Sequence, residues 1–149
     1  MPGFADLRHA LGELRLAGRP VMVHASLKKF GEIQGGPRTL IQAMRETFGG
    51  VVMPTFTYKT MVTPGVGPPN NGLTYGSGRD RNKMAEPFRP AMPPDKLMGV
   101  LPLTLLGEQD ARRTSHPILS FGGIRAGDIL SVQTLFDPLA PIRALTEKD

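Results

Sequence analysis

Two short apolar runs with a helical pattern between them limit most strongly how this chain can fold. Residues 20–24 (PVMVH) and 51–56 (VVMPTF) are nearly continuous apolar runs, which is typical of strands covered on both faces. Between them, the Gly-Gly-Pro sequence at 35–37 opens a helix and Gly49-Gly50 ends it. The buried side of that helix carries apolar residues at helical spacing: Leu40, Ile41, Met44 and Phe48. Strand, helix and strand form a βαβ unit, so we predict two parallel strands joined by a right-handed crossover.

Further elements are expected on both sides of this unit. Residues 4–17 carry the apolar stripe of an amphipathic helix. A helical pattern resumes over residues 98–106, where Pro102 should kink the helix or delay its start. Residues 118–121 are a candidate third strand, and residues 126–135 a candidate last helix.

Residues 57–97 interrupt this pattern with seven Pro and five Gly. A loop of this length inside a compact domain is normally functional, disordered or wrongly assigned. Turn signals such as Asn70-Asn71-Gly72 favour order. We therefore predict one α/β domain over residues 1–149, with a mostly parallel sheet, a βαβ unit flanked by helices, and a long ordered Pro/Gly-rich loop over an active site.

Composition excludes several classes of site. The chain has no Cys, so it can form no disulfide, thiolate metal site or cysteine nucleophile, which fits a cytoplasmic protein. No cluster of His, Asp and Glu has metal-ligand spacing, so no metal is expected. No apolar run approaches the length of a membrane span, and the first residues do not resemble a signal peptide.

The net charge of +5 indicates an anionic partner. Residues 1–75 hold eight Lys/Arg against four Asp/Glu, so the excess lies in the first half. Nucleic-acid binding would need clustered basic residues with stacking aromatics, and here the basic residues are scattered. We therefore expect no nucleic acid and favour a small anionic ligand such as a nucleotide-bearing cofactor.

Three histidines are the candidates for a base near neutral pH. His9 lies beside the apolar stripe of the first helix and is expected to be a surface residue. His24 ends the first strand of the βαβ unit, at the sheet edge where α/β folds bind ligands, although a hydrogen-bonded core histidine fits the same position. His116 lies between two arginines and a strand, and can be a functional residue or a buried structural imidazole. Neither Ser26 nor Ser120 lies in a Gly-x-Ser-x-Gly motif, so a serine hydrolase is poorly supported.

Four segments occur in an order that resembles a known family. They are residues 21–28 (VMVHASLK) with the Gly-Gly-Pro that follows, 52–57 (VMPTFT), 98–99 (MG) and 113–120 (RTSHPILS). Together they resemble the aminoglycoside N(3)-acetyltransferase family, also called the antibiotic N-acetyltransferase family. The resemblance covers nearly the whole chain and corresponds to the N-terminal portion of the family, so the domain is expected to be truncated.

The resemblance implies an α/β enzyme that transfers the acetyl group of acetyl-CoA to the 3-amino group of an aminoglycoside or to a related amine, conferring antibiotic resistance. Direct transfer from a thioester needs a base, proximity and oxyanion donors, but no protein nucleophile. Lys28, Lys29 and Arg38 have the right sign of charge for the phosphates of the cofactor.

The resemblance also implies site residues. The cofactor would be lined by Ser26, Leu27, Lys28, Pro54 and Thr55. Its pantetheine arm would lie beside His116, Ser120 and Phe121. Among this chain's own residues, His116 is our candidate for the catalytic base.

Two departures from the family pattern bear on catalysis. Leu103 stands where the family commonly has Glu after its Met-Gly pair, and Leu can neither orient a base nor bind a cation. The family also continues past residues 136–138 into a Thr-Ser-x-His segment that resembles the source of its general base. The base here is then His116 or His24, comes from another chain, or is absent.

Two expectations follow from these departures. The alternative to an active enzyme is a truncated, inactive member that binds CoA or a complementary chain. An early end to the sheet would also expose a strand edge and favour self-association.

Overall fold

The computed structural model describes residues 1–147, in which six α-helices and four β-strands occur. The helices are α1 (Phe4–Gly12), α2 (Gly36–Thr47), α3 (Arg79–Lys83), α4 (Val100–Leu106), α5 (Gly127–Leu130) and α6 (Ala140–Thr146). The strands are β1 (Pro20–Met22), β2 (Gly50–Pro54), β3 (Arg112–Arg113) and β4 (Phe121–Ile124). None of the helices in this part of the chain combines the length and apolar character that crossing a membrane requires.

The βαβ unit predicted from the sequence is confirmed. β1 and β2 pair in parallel, with Pro20 opposite Gly50 and Met22 opposite Val52, and α2 connects them. Every residue of β2 is buried, as expected of a strand covered on both faces.

The expectation of a mostly parallel sheet is wrong, because the sheet is mixed. The strand order is β1-β2-β4-β3, and β4 runs antiparallel to both of its neighbours. One of the three pairings is therefore parallel. The physical reason is the short connection between β3 and β4, which turns the chain back on itself, whereas a parallel connection needs a long crossover.

Helices cover both faces of the sheet. Successive side chains of β2 point to opposite faces, so they belong to two separate hydrophobic clusters. Val51 and Met53 pack with the side chains of α1, α2 and α4, whereas Val52 packs with α5 and α6. The first cluster is the larger and includes four fully buried leucine and isoleucine side chains of α2 and α4: Leu40, Ile41, Leu101 and Leu105. Each such side chain contributes about 1.5–3 kcal/mol through burial, so this face provides most of the hydrophobic stabilisation.

Several element bounds differ from those expected. α1 ends at Gly12 instead of residue 17, and Arg15 adopts a left-handed backbone conformation beyond it, with φ 58°. Of the two effects expected of Pro102, the delayed start is confirmed: α4 begins at Val100, and the proline occupies its first turn, where no backbone N–H is needed. The strand expected at residues 118–121 corresponds to β4, which begins only at Phe121.

The expected last helix, residues 126–135, is shorter in the structure, where α5 covers Gly127–Leu130. Gln133 and Thr134 belong instead to the turn that leads to α6: the Gln133 amide donates to the Leu119 and Pro138 carbonyls, and Thr134 accepts from the Asp137 N–H.

Residues 57–97 form an excursion whose two limbs are hydrogen-bonded to each other. The Thr63 N–H donates to Asn82 Oδ1 (2.9 Å), and Asn82 Nδ2 donates to the Thr63 carbonyl (2.7 Å). The Asn82 side chain thus makes both hydrogen bonds to the Thr63 backbone that a neighbouring strand would otherwise make. Closer to the sheet, the Glu86 N–H donates to the Lys59 carbonyl (2.9 Å). These contacts give the long Pro/Gly-rich loop the order expected of it.

Candidate functional site

A groove lies along the sheet edge where the parallel strands β1 and β2 both end. Two cavities of about 490 and 530 Å³ form it, and they meet at Lys96, Gly99 and Val100. The first cavity, next to β1, is also lined by His24, Ala25, Ser26, Leu27, Lys28, Leu97 and Met98. The second, next to β2, is also lined by Thr57, Tyr58, Lys59, Pro93, Pro94, Asp95 and Leu103. We call the two cavities together the edge groove.

The segment between the two cavities, Asp95–Gly99, is held by specific backbone contacts. The Asp95 N–H donates to the Phe56 carbonyl (2.7 Å), which ties the segment to the chain leaving β2. Asp95 Oδ1 then accepts the Leu97 N–H (2.9 Å) and caps a 3₁₀ turn. Gly99 follows with φ 79° and ψ −173°, a conformation that favours glycine, and α4 begins at the next residue. The Met-Gly motif therefore shapes the middle of the groove.

The loop after β1 places three of the predicted cofactor residues in the first cavity. Ser26 precedes a 3₁₀ turn over Leu27–Lys29, and its carbonyl accepts the Lys29 N–H (3.0 Å). Ser26 and Lys28 are exposed, and Leu27 is half-buried. The groove thus brings together Ser26, Leu27 and Lys28 as the sequence predicted, and their contacts to a cofactor stay predictions.

Arg38 does not join Lys28 in the edge groove. Its Nε lies 3.8 Å from the Glu108 carboxylate, in an ion-pair network that also contains Arg45 and Asp110 and links α2 to the end of α4. Lys96 takes the place expected for Arg38, because it lines both cavities and is exposed. Sequence reasoning missed Lys96, although its position three residues before Gly99 could have indicated it.

His24 is exposed and lines the first cavity. The alternative of a hydrogen-bonded core histidine is therefore wrong for this position. The imidazole lies at the carboxyl end of β1, where α/β folds bind ligands.

Four other predicted cofactor residues lie in the interior instead of the edge groove: Pro54, Thr55, Ser120 and Phe121. Thr55 Oγ1 and Ser120 Oγ are 3.0 Å apart, and Ser120 Oγ also donates to the Thr55 carbonyl (2.8 Å). Both side chains are fully buried. Phe121 packs edge-on against Phe56, with ring centroids 5.5 Å apart. These contacts join the chain at the end of β2 to the chain entering β4, and a cofactor role for the four residues stays a prediction.

Arg113 completes this buried arrangement. Its Nε donates to Ser120 Oγ (3.1 Å), and its Nη2 donates to the Thr55 carbonyl (2.7 Å). Its Nη1 donates to the carbonyls of Pro90 (3.1 Å) and Met92, and the guanidinium lies over the Phe88 ring. Burial lowers the pKa of Arg113. We call Arg113, Thr55 and Ser120 the buried node, because together they fasten residues 88–92 of the excursion to the sheet.

His116 lies in a third cavity of about 400 Å³, which shares no lining residue with the edge groove among the described residues. Its Nδ1 accepts the N–H groups of Leu119 (2.9 Å) and Ile118 (3.2 Å). Burial also lowers the pKa of His116, which favours the neutral ring. In the neutral ring with Nδ1 as acceptor, Nε2 carries the proton. This geometry favours a structural imidazole over a general base, and the catalytic role of His116 stays a prediction.

A metal centre is not part of this arrangement. Within residues 1–147, no group of three or more His, Asp or Glu side chains is placed to hold a metal ion. Lysine and hydroxyl side chains line both cavities of the groove, and the second adds Pro93, Pro94 and Leu103, a combination that suits an organic anion with an extended arm.

Comparison with known proteins identifies the family. Residues 22–149 match the family model described as aminoglycoside 3-N-acetyltransferase. The chain belongs to this family. It contributes the N-terminal portion of the family's fold, as the four motifs indicated. No match was found among curated protein sequences.

Solved structures show the same fold. The YokD protein from Bacillus subtilis aligns with a TM-score of 0.75 at 21% identity, over 94% of this chain and 60% of its own. The aminoglycoside acetyltransferase AAC(3)-IIb aligns with a TM-score of 0.77 at 24% identity, over 99% of this chain and 56% of its own. AAC-IIIb, solved as a binary complex with CoASH, aligns with a TM-score of 0.70 at 26% identity, over 94% of this chain and 55% of its own. The chain thus spans between 55% and 60% of the length of these three relatives.

Proposed function

We propose that this chain provides the cofactor-binding part of an acetyl-CoA-dependent N-acetyltransferase that acts on the 3-amino group of an aminoglycoside, or on a related amine, and confers antibiotic resistance. The observation that carries the proposal is the edge groove, which gathers Ser26, Lys28 and Lys96 at the carboxyl ends of β1 and β2. The solved complex of a family member with CoASH supports the choice of cofactor. A cytoplasmic location is part of the proposal and fits the absence of Cys.

The donor set of the first cavity fits CoA. Lys28 and Lys96 can each bind a phosphate as point charges, and the Ser26 hydroxyl can donate to a phosphate or pantetheine oxygen. Acetyl-CoA would supply the acetyl group as a thioester, which the amine nitrogen attacks directly. The bond from nitrogen to the acetyl carbon forms, the carbon–sulfur bond breaks, and the sulfur leaves with the electron pair.

The remaining requirement is a group that takes the proton of the amine. Of the two histidines left open by the sequence, His24 lines the edge groove and His116 lies in a separate cavity. His24 is therefore our candidate for the base. The exposed imidazole lines the same cavity as Ser26 and Lys28, at the carboxyl end of β1.

A second candidate function is CoA binding without turnover, alone or with a complementary chain. Two observations favour it. Leu103 lies in the second cavity at the position where the family commonly carries a carboxylate. His116 has its acceptor nitrogen engaged by two backbone N–H groups. The groups that would bind CoA are thus present in the groove, whereas those that would activate an amine are few.

Two measurements test the proposal. Isothermal titration with acetyl-CoA should give a dissociation constant in the micromolar to millimolar range, and absence of binding would contradict both candidate functions. A thiol-release assay with kanamycin or gentamicin then separates the two. Free CoA that appears only after the amine is added supports the acetyltransferase, whereas binding without release supports the non-catalytic function.

The base assignment has a matched control within the chain. The variant His24→Gln should lower the rate of thiol release at least tenfold and leave acetyl-CoA affinity within about twofold. His9→Gln changes an exposed histidine on α1, outside the groove, and should leave both unchanged. Equal rates for the two variants would remove His24 from the mechanism.

A further inference from the structure

The second cavity of the edge groove has an apolar wall that acetyl transfer alone does not require. Pro93 and Pro94 line it, together with Val100 and Leu103 of α4. The Leu103 side chain is 52% exposed and that of Val100 is 43% exposed. A cavity of about 530 Å³ with exposed aliphatic walls is suited to an apolar group.

The charges around this cavity argue against a polycationic occupant. Asp95 is the one acid among the described residues that line it, and one of its carboxylate oxygens already accepts the Leu97 N–H. Lys96 and Lys59 also line the cavity, and Lys59 is 3.6 Å from the Glu86 carboxylate. A cationic amine would therefore meet ammonium groups and apolar carbons instead of free carboxylates.

The second cavity adjoins the site proposed for CoA. Lys96, Gly99 and Val100 line both cavities, so a ligand that binds beside Lys28 needs to pass only these residues to reach the second cavity. Gly99 places no side chain between the two cavities. Each cavity is lined by two lysines, and the second also has the exposed aliphatic side chain of Leu103. An acyl-CoA can therefore place its phosphates beside Lys28, its thioester near Gly99 in the cavity that His24 also lines, and its acyl chain in the second cavity.

We infer that the second cavity binds the acyl chain of the donor, and that the protein accepts acyl-CoA donors with chains longer than acetyl. This inference rests on the proposed function, because it assumes that CoA occupies the first cavity. Each methylene group that becomes fully buried should raise affinity about fourfold, so a short linear chain produces a measurable gain. Leu103 is the specificity-determining residue, because its substitution by a carboxylate makes this wall unfavourable to an alkyl group.

The experiment compares CoA with non-hydrolysable S-ethyl-CoA, S-butyl-CoA and S-hexyl-CoA by isothermal titration. We expect S-hexyl-CoA to bind at least tenfold more tightly than S-ethyl-CoA. The variant Leu103→Glu should remove that gain and leave the affinity for CoA itself within about twofold. Leu14→Glu is the control, since Leu14 is 57% exposed and lies beyond α1.

The outcomes separate the inference from the proposed function. If CoA itself does not bind, the proposed function fails. If CoA binds but affinity is constant or falls with chain length, the inference is wrong and the proposed function stands. If Leu103→Glu and Leu14→Glu reduce the gain equally, the effect is not local to the cavity, and the inference is again wrong.

Discussion

The edge groove and the buried node both lie where the chain leaves β2, yet they differ in almost every physical respect. In the groove, Lys28 and Lys96 are exposed. In the node, Thr55 and Ser120 are fully buried and bonded to each other and to Arg113. The family resemblance assigned members of both regions to one cofactor site. The difference teaches that neighbouring residues at one strand end can be either buried packing residues or exposed residues that line a groove.

The energetic consequences of the two regions should also differ. A buried donor or acceptor that loses its partner costs about 1–3 kcal/mol, because it cannot bond to water instead. An exposed cation that is removed changes stability little, because the pairs it makes are worth at most about 1 kcal/mol. Variants in the node should therefore change stability, whereas variants in the groove should change binding.

The largest expected effect is that of Arg113→Met. The substitution removes the donors to Ser120 Oγ and to the carbonyls of Thr55 and Pro90, and we expect the free energy of unfolding in urea to fall by about 2–4 kcal/mol. Arg112→Met changes the exposed neighbour and should stay within about 0.5 kcal/mol of the unchanged chain. Similar values for the two variants would show that the node does not stabilise the fold.

Ser120→Ala is a smaller change, and it tests directly whether this residue stabilises the fold or contacts the cofactor. It should lower the free energy of unfolding by about 1–2 kcal/mol, since it removes the hydroxyl shared by Thr55 and Arg113. The affinity of the folded protein for CoA should not change. Ser115→Ala, at an exposed serine, is the control. If Ser120→Ala instead lost CoA affinity at unchanged stability, the residue would be a cofactor contact and the distinction between node and groove would not hold.

Lys28→Ala tests whether a residue of the groove contributes to CoA affinity and not to stability. We expect affinity for CoA to fall about three- to fivefold, an effect that added salt reduces, because the contact is an exposed charge pair. Stability in urea should be unchanged. Lys83→Ala, on the exposed helix α3, is the matched control and should change neither quantity. Equal CoA affinity in the two variants would remove Lys28 from the binding site.

The smallest effect concerns His116, which resembles the node more than the groove. Its pKa is lowered by burial, so the unfolded chain takes up a proton at a higher pH than the folded chain. The stability that the neutral ring contributes is complete above the unfolded pKa of about 6.5 and is lost as pH falls through the lower, folded pKa. In the variant His116→Gln, the free energy of unfolding should not show this loss when it is measured between pH 8 and pH 5. A pH dependence identical to that of the unchanged chain would contradict the assignment.

Local sequence signals predicted the βαβ unit well. The Gly-Gly-Pro opening and the Gly49-Gly50 end placed α2 within a residue or two of its bounds, Gly36–Thr47. The motif after β1 likewise brought Ser26 and Lys28 to the groove. These features depend on residues that are close in sequence, so their patterns carry the information.

Features that depend on distant partners were not predictable in the same way. The direction of β4 is set by its pairing with β2 and β3, which the apolar pattern of a strand does not encode. The start of β4 is displaced because His116 accepts the backbone N–H groups of Ile118 and Leu119 and holds them in a turn. Arg113 opens the motif at residues 113–120, but its structural role was not predictable, because its hydrogen bonds join residues far apart in sequence.

The way the excursion is fastened has a consequence for engineering. Its limbs are joined to each other between Thr63 and Asn82 and between Lys59 and Glu86, and Arg113 holds the returning limb. Residues 64–81 lie beyond the outermost of these links, and doubling the length of a flexible loop costs only about 0.6 kcal/mol. Residues 64–78, which precede α3, line neither cavity of the edge groove. Segments from other family members can therefore replace them while the sheet, the node and α4 keep their present packing.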